Sequence, residues 1–190
     1  MNNFFVCTLT IATALTSGGA ASERMPSTAK RAVQCEAAAA ALPAADTGRS
    51  NTLYSLAAPG PLSGTLRELT DSQIGTGWSG RTPKAVTAAG LLEAVNTSAL
   101  SCPEIRSLAA QRGEVVSEED GAVRLKQMGY NGLIAYQHRM SMAAVDPQGK
   151  EAIVALVSSS NQLAGGIFLV LLSKRSNKWE VVGRKPLALS

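Results

Sequence analysis

The chain has 190 residues and a formal net charge of +4, with 45% hydrophobic and only 4% aromatic residues. This length is typical of one domain with a sizeable core. The aromatic side chains are too sparse to form a platform on which nucleic-acid bases would stack, so the composition argues against a nucleic-acid partner.

The first 21 residues predict a secretory signal peptide. An uncharged apolar run covers residues 4–15, small residues follow, and the first charged side chains are Glu23 and Arg24, which is the layout of a cleaved export signal. The run is shorter than the roughly 20 apolar residues of a bilayer span, although an N-terminal anchor or a buried helix is the alternative. We therefore predict a periplasmic or secreted protein that is not an integral membrane protein after cleavage.

Cysteine usage then predicts a disulfide. Cleavage removes Cys7 and leaves Cys35 and Cys102, an even number in an oxidising compartment. Their bond would close a loop of more than sixty residues and stabilise the fold by roughly 4 kcal/mol in the chain-entropy description. Two buried free thiols are the alternative if export fails. Together with the only histidine, these two sulfurs are too few ligands for a zinc site, and we predict no metal.

Residues 22–60 are predicted to form a lead-in to a single domain over residues 61–190. The lead-in contains an alanine-rich helix over 29–42, which Pro43 ends. A loop rich in Gly, Pro, Ser and Asn follows this helix. An imperfect alternation over 64–75 indicates a short strand.

Three predicted helices follow, each with a polar residue before it and apolar residues at helical spacing. Thr82 is the predicted cap of the first, and Ser101 and Glu104 have the spacing of a capping box at the second. The acidic run after Ser117 suits the positive N-terminal end of the third helix, so it needs no substrate or metal to explain it. The predicted helices cover residues 82–95, 101–113 and 117–129.

From residue 132 onward the period changes from helical to alternating. Pro147 and Gly149 predict a reversing turn, and the two strands after it are apolar on both faces, as in the centre of a covered sheet. We predict an α+β fold in which about four C-terminal strands form an antiparallel sheet, with the N-terminal helices packed on one face. One face of the first strand carries Ile134, Tyr136, His138, Met140 and Met142.

The last third of the chain has an ordered series of features: an apolar run, a glycine-containing loop, a second apolar run, a lysine-containing turn and a tryptophan strand. The residues that carry these features are Ala152, Ile153, Val154, Leu163, Gly165, Gly166, Leu171, Leu172, Lys174, Trp179 and Val182. In this series the chain resembles a loosely defined group of uncharacterised secreted bacterial proteins. Where that group has two loop cysteines, this chain has Ser160 and Ala164, so a disulfide clip or metal role for the loop would be absent. The resemblance implies no established activity.

Two short motifs match the sequence patterns of known sites. Gly75, Gly77 and Gly80 form a G-x-G-x-x-G before a predicted helix, as in dinucleotide-binding proteins. No second parallel strand with an acidic end follows, so we interpret them as a glycine loop and predict no cofactor. Ser27 and Lys30 match the S-x-x-K of penicillin-binding enzymes, but no K-T-G accompanies them, and we interpret Ser27 or Thr28 as the cap of the first helix.

His138 is the only histidine, so any histidine-dependent catalysis would use it. The sequence spacing identifies no nucleophile or carboxylate partner for it, and a core histidine is the simpler interpretation. If the sheet curves around a ligand, the candidate pocket residues are Tyr136, His138, Met140 and Trp179.

Positive charge is concentrated near the C-terminus. The charged residues of this segment are Lys174, Arg175, Lys178, Arg184 and Lys185 against Glu180. They could meet an anionic envelope surface or an acidic partner. Charges at turns and strand edges also prevent apolar hairpins from pairing with other chains, and we favour this interpretation.

These patterns together favour a small exported protein of the cell envelope that works by binding a small ligand or a protein partner, without catalysis. The alternative is a small envelope hydrolase that uses His138 or a serine. The variant His138→Ala separates the two, because it should abolish hydrolysis and leave the activity of a binding protein intact if the chain folds.

Overall fold

A computed structural model describes residues 27–43, 51–59, 74–161 and 164–189, which form an α+β fold around one sheet. The predicted signal peptide and nearly all of the strand predicted within 64–75 lie outside the described residues. The helices are α1 (Ser27–Ala41), α2 (Ala85–Ala89), α3 (Leu91–Ala94), α4 (Pro103–Arg112) and α5 (Glu118–Tyr130). The strands are β1 (Thr52–Ser55), β2 (Ser79–Gly80), β3 (Glu114–Val116), β4 (Tyr136–Met140), β5 (Ala144–Val145), β6 (Glu151–Ser160), β7 (Gly165–Arg175) and β8 (Lys178–Leu189).

The sheet has eight strands and is mixed. Its order is β2-β8-β7-β6-β4-β1-β3, with β5 paired to β6 beside this path. The four long C-terminal strands are antiparallel, as predicted. However, β1 runs parallel to both β3 and β4, so the prediction of a purely antiparallel sheet of about four strands was wrong. The missed strands β1, β2, β3 and β5 have two to four residues each, too few to show an alternating period.

Helices cover both faces of the sheet, whereas the sequence predicted one. Ala152 and Val154 of β6 belong to a core cluster with residues of α1 and α4. Ile153, which lies between them, belongs to a second cluster with Leu91 and other residues of α2 and α3. Successive side chains of a strand point to opposite faces, so a strand that is apolar on both faces requires cover on both.

The ends of the helices differ in part from their predicted caps. Gly90 divides the helix predicted over 82–95 into α2 and α3, and Lys84, not Thr82, is the residue before α2. Cys102 precedes α4, while Ser101 ends a 3₁₀ turn. The Ser117 hydroxyl accepts a hydrogen bond from the Asp120 amide, as predicted for the start of α5. None of the helices in the described ranges has the length and apolar character that a bilayer span requires.

The predicted disulfide is present. It joins Cys35 of α1 to Cys102 at the start of α4, with an S–S distance of 2.02 Å. Both cysteines are buried in the core cluster on the α1 face. The bond therefore fixes α1 to the body of the domain.

Candidate functional site

A cavity of about 290 Å³ lies between the C-terminal end of α1 and the sheet. Its walls are mostly apolar and come from α1 on one side and from β4, β6, β7 and β8 on the other. The lining residues are Ala40, Ala41, Leu42, Pro43, His138, Leu156, Ser158, Phe168, Val170, Val181 and Arg184. Apolar walls with a few polar groups are typical of small-molecule sites, and this volume is at the lower end of their range of roughly 300–1,000 Å³.

The helical wall of the cavity is held by hydrogen bonds to the end of α1. The last carbonyl groups of a helix have no partner within the helix. Here the Arg112 guanidinium donates to the carbonyl oxygen of Leu42 at 2.9 Å, and the Tyr54 hydroxyl donates to that of Pro43 at 3.0 Å. A positive charge at this end also suits the helix dipole. Burial raises the pKa of Tyr54, and the charge of Arg112 opposes this rise, so the hydroxyl stays protonated and keeps donating.

His138 lies on the sheet side of the cavity. It is half-buried, and its ring centroid is 5.8 Å from that of Tyr54. Loss of solvent around the ring lowers the pKa of His138 to about 4, so the imidazole is neutral at pH 7. Its buried Nδ1 atom has no hydrogen-bond partner in the part of the chain that the structure describes.

Ser158 is the cross-strand neighbour of His138 and lines the same cavity. Neither side chain is paired with a carboxylate there, because the described lining residues include no Asp or Glu. Arg184 lines the same cavity from β8. It is exposed and supplies the cavity's positive charge. The polar side chains of the cavity thus come from β4, β6 and β8.

Of the four candidate pocket residues from the sequence, His138 lines this cavity. Met140 is 1% exposed and packs in the core cluster on the α1 face, as does Trp179. The ammonium group of Lys174 lies 5.6 Å from the centroid of the Trp179 ring. Tyr136 is half-buried at the start of β4. The strand alternation found His138, but the other lining residues come from elements that the sequence does not bring together.

The glycine motif has a structural role. A Cβ atom at Gly80 would lie 2.5 Å from the backbone oxygen of Val182, and one at Gly183 would lie 2.4 Å from that of Arg81. Both glycines therefore allow the close approach of β2 and β8. The amide of Lys84, the residue before the five-residue helix α2, donates to the carboxylate of Glu151.

A cluster of buried carboxylates holds the start of α2, and the sequence did not predict it. Glu151 is fully buried and accepts hydrogen bonds from the Lys84 amide and the Thr87 hydroxyl, each at 2.7 Å. Arg81 forms an ion pair with the same carboxylate at 2.7 Å. Asp146, also fully buried, pairs with the ammonium group of Lys84 at 2.9 Å. The partners in the segment from Arg81 to Thr87 all lie more than sixty residues from the carboxylates, so no local pattern indicates this cluster.

The pKa of Asp146 is lowered despite its burial. Loss of solvent alone would raise it, but hydrogen bonds from Lys84 and from the amides of Lys150 and Glu151 outweigh that effect. Because both carboxylates are fully bonded inside the protein, they act as a structural anchor.

The S-x-x-K residues lie at the exposed start of α1. Ser27 and Lys30 border a second cavity of about 230 Å³, between α1 and α3. Two nearby polar side chains are already hydrogen-bonded within the protein. Arg31 donates to the Ser101 hydroxyl, and Gln34 donates to the Ala143 carbonyl oxygen. This cavity shows no unpartnered buried group within the described ranges.

One group of possible metal ligands occurs among the described residues. Atoms of Cys35, Cys102 and Glu104 lie within 4.8 Å of one another. Both sulfurs, however, are bonded to each other in the disulfide, and metal ligation needs a thiolate. This group is therefore not a metal site in the oxidised protein.

Comparison with known proteins finds no match to this chain among protein-family models, curated proteins or solved structures.

Proposed function

We propose that this chain is an exported binding protein of the cell envelope, and that its ligand occupies the cavity between α1 and the sheet. The cavity carries the proposal, because it combines apolar walls with three polar side chains, those of His138, Ser158 and Arg184. Apolar walls with a few polar groups are the usual make-up of small-molecule sites. The Cys35–Cys102 disulfide supports an oxidising compartment.

A fluorescent apolar probe tests the proposal. N-phenyl-1-naphthylamine should bind the purified protein with increased emission, because the cavity removes the probe from water. The variant Ala40→Phe places a ring in the cavity wall and should abolish the signal. Ala122→Phe is the matched control, since Ala122 is an equally exposed helical alanine on α5. Equal emission from both variants, each shown to be folded by its circular dichroism, would reject the cavity as the site.

The hydrolase alternative rests on the facing pair His138 and Ser158. A serine nucleophile needs a general base with a pKa near the working pH and a group that orients it. With a pKa of about 4 and no carboxylate among the described lining residues, His138 is poorly suited to this role. Ester hydrolysis by the wild type that both His138→Ala and Ser158→Ala abolish would favour the hydrolase over the binding protein.

A further inference from the structure

A third sulfur atom lies beside the disulfide. Cys35 and Cys102 are buried in the core cluster on the α1 face, and the Sδ atom of Met142 is 3.9 Å from the Sγ atom of Cys102. A carboxylate oxygen of Glu104 and the two Sγ atoms lie within 4.8 Å of one another. Three sulfur atoms and one carboxylate are therefore neighbours at the start of α4.

The spacing of these sulfur atoms suits a metal ion once the disulfide is reduced. Metal–sulfur bonds of about 2.3 Å hold two sulfur ligands at most about 4.6 Å apart. The contact between Cys102 and Met142 is already inside this limit. The Cα atoms of Cys35 and Cys102 are 5.9 Å apart, so rotation of the two side chains can place both sulfurs on one ion without movement of the backbone.

The surroundings of Cys102 suit metal ligation. Cys102 is the residue before α4, a helix of ten residues. The positive end of a helix dipole stabilises a thiolate, which is the form in which cysteine binds a metal. The group of ligands also borders solvent, because Glu104 is exposed and Met142 lines the second cavity, between α1 and α3.

The chemistry of the ligands favours a soft ion. Thiolate and thioether sulfurs are both ligands of Cu(I). Zn(II) is bound by thiolate, imidazole and carboxylate groups, so a zinc ion would not use Met142 and would depend on Glu104. The methionine is 2% exposed and held in the core, whereas the glutamate is exposed. The ligand that the fold fixes next to the cysteines is thus the one that Cu(I) prefers.

We propose that the reduced protein binds one Cu(I) ion through Cys35, Cys102 and Met142, and that the disulfide closes this site in the oxidised protein. The site is separate from the cavity of the proposed function. A dithiol reductant opens it. The Cys35–Cys102 bond breaks, two electrons and two protons pass to its sulfurs, and the reductant forms a disulfide of its own. Copper enters as Cu(I) and keeps its oxidation state, while the two thiols release their protons.

Competition with bicinchoninate in the absence of oxygen tests the proposal. The full protein is reduced with dithiothreitol, separated from the reductant and mixed with the coloured complex of Cu(I) and bicinchoninate. We expect the reduced wild type to remove one Cu(I) per chain from the complex. The oxidised wild type should remove none, because ligation needs thiolates. Equal removal by both forms would mean that copper binds elsewhere, and the proposal would be wrong.

Matched substitutions test the thioether ligand. Met142→Leu removes the sulfur and keeps most of the side-chain volume, and it should weaken Cu(I) binding by at least about tenfold. Met140→Leu is the control, since Met140 is equally buried in the same core cluster, and it should bind as tightly as the wild type. Glu104→Gln should also leave binding unchanged. If Glu104→Gln weakens binding and Met142→Leu does not, the carboxylate is the third ligand and the proposal is wrong.

Two further results would reject the site. One is a disulfide that dithiothreitol does not reduce in the folded protein. The other is a reduced chain that loses its circular-dichroism signal and does not regain it with Cu(I), because metal binding should stabilise the fold that forms the site. Copper binding without binding of N-phenyl-1-naphthylamine would reject the proposed function alone, and probe binding without copper binding would reject this inference alone.

Discussion

At the scale of single residues, buried polar atoms differ in whether the protein supplies them with a hydrogen-bond partner. The buried polar atoms of Glu151 and Asp146 are bonded within the protein. His138 Nδ1 is buried without a partner among the described residues. The difference matters because a bonded buried group contributes to stability, whereas an unpartnered one lowers it.

The titration of His138 should make stability depend on pH. The unfolded chain binds a proton at this residue below about pH 6.5, whereas the folded protein does so only near its pKa of about 4. The free energy of unfolding should therefore fall as the pH is lowered from 6.5 to 4, by up to about 1.4 kcal/mol per pH unit. Urea unfolding at pH 7, 5.5 and 4.5 measures this slope. His138→Gln should flatten it, and an equal slope in both proteins would contradict the burial of the imidazole.

Removal of the Glu151 carboxylate should be costly. In Glu151→Ala the Lys84 amide and the Thr87 hydroxyl lose their acceptor, and we expect a loss of about 3 kcal/mol in the free energy of unfolding. Glu151→Gln keeps one oxygen acceptor and should lose less. Glu180→Ala is the control at an exposed glutamate on β8 and should change stability by less than about 0.5 kcal/mol. Equal effects at the two sites, measured by chemical denaturation, would show that the cluster is not an anchor.

At the scale of elements, local patterns predicted those parts of the fold that depend on neighbours in the sequence. The turn at Gly149 and the long strands β6 and β7 after it were predicted, because alternation and turn chemistry are local, whereas the strand predicted before the turn is divided into β4 and β5. Strand β1 was interpreted as loop, since four residues show no period and its partners lie in β3 and β4. For the same reason the alternation indicated that His138 shares a face with other residues, but not that Arg184 and α1 complete its cavity.

The contact between β2 and β8 gives a test at this scale. Gly80 has a φ of 95°, and a Cβ atom there would lie 2.5 Å from the backbone oxygen of Val182. Gly132 has a φ of 71° but nothing within 4 Å of that position. Gly132→Ala should therefore lower the free energy of unfolding by about 1 kcal/mol through its backbone conformation alone. Gly80→Ala should lower it by clearly more. Thermal unfolding of both variants makes the comparison, and an equal loss would mean that β2 does not pack closely on β8.

The disulfide between α1 and α4 should supply a large part of the stability. The 67-residue separation of its cysteines corresponds to roughly 4 kcal/mol in the chain-entropy description. The double variant Cys35→Ala, Cys102→Ala should therefore unfold at lower denaturant concentration. Reductant should shift the wild type towards the variant and leave the variant unchanged. A wild type that is insensitive to reductant under unfolding conditions would contradict the bond.

At the scale of the whole molecule, the N-terminal helix depends on the C-terminal strands. α1 packs in one core cluster with residues of β6, β7 and β8. The Glu36 carboxylate on α1 also pairs with the Lys174 ammonium group on β7 at 2.7 Å. Loss of α1 would expose this face of the sheet and remove one wall of the cavity.

Export is tested by the intact mass of the protein from its native host, measured with and without reductant before alkylation. We expect a chain that lacks about its first 21 residues, with two cysteines that react only after reduction. Both features follow from transfer of the chain to an oxidising compartment. A full-length chain with free thiols would reject the export part of the proposed function and would leave the cavity experiments unaffected.

The order of strands in the sheet also has a consequence for synthesis. Leu53 of β1 pairs with Gln137 of β4, more than eighty residues later, and α1 rests on strands that are made last. On a ribosome, α1 and β1 thus lack part of their packing partners until the later strands have emerged. A chain of this kind cannot complete its core halfway through translation. That delay would suit a polypeptide that has to pass a membrane channel before it folds, because its core is complete only when nearly all of it has been made.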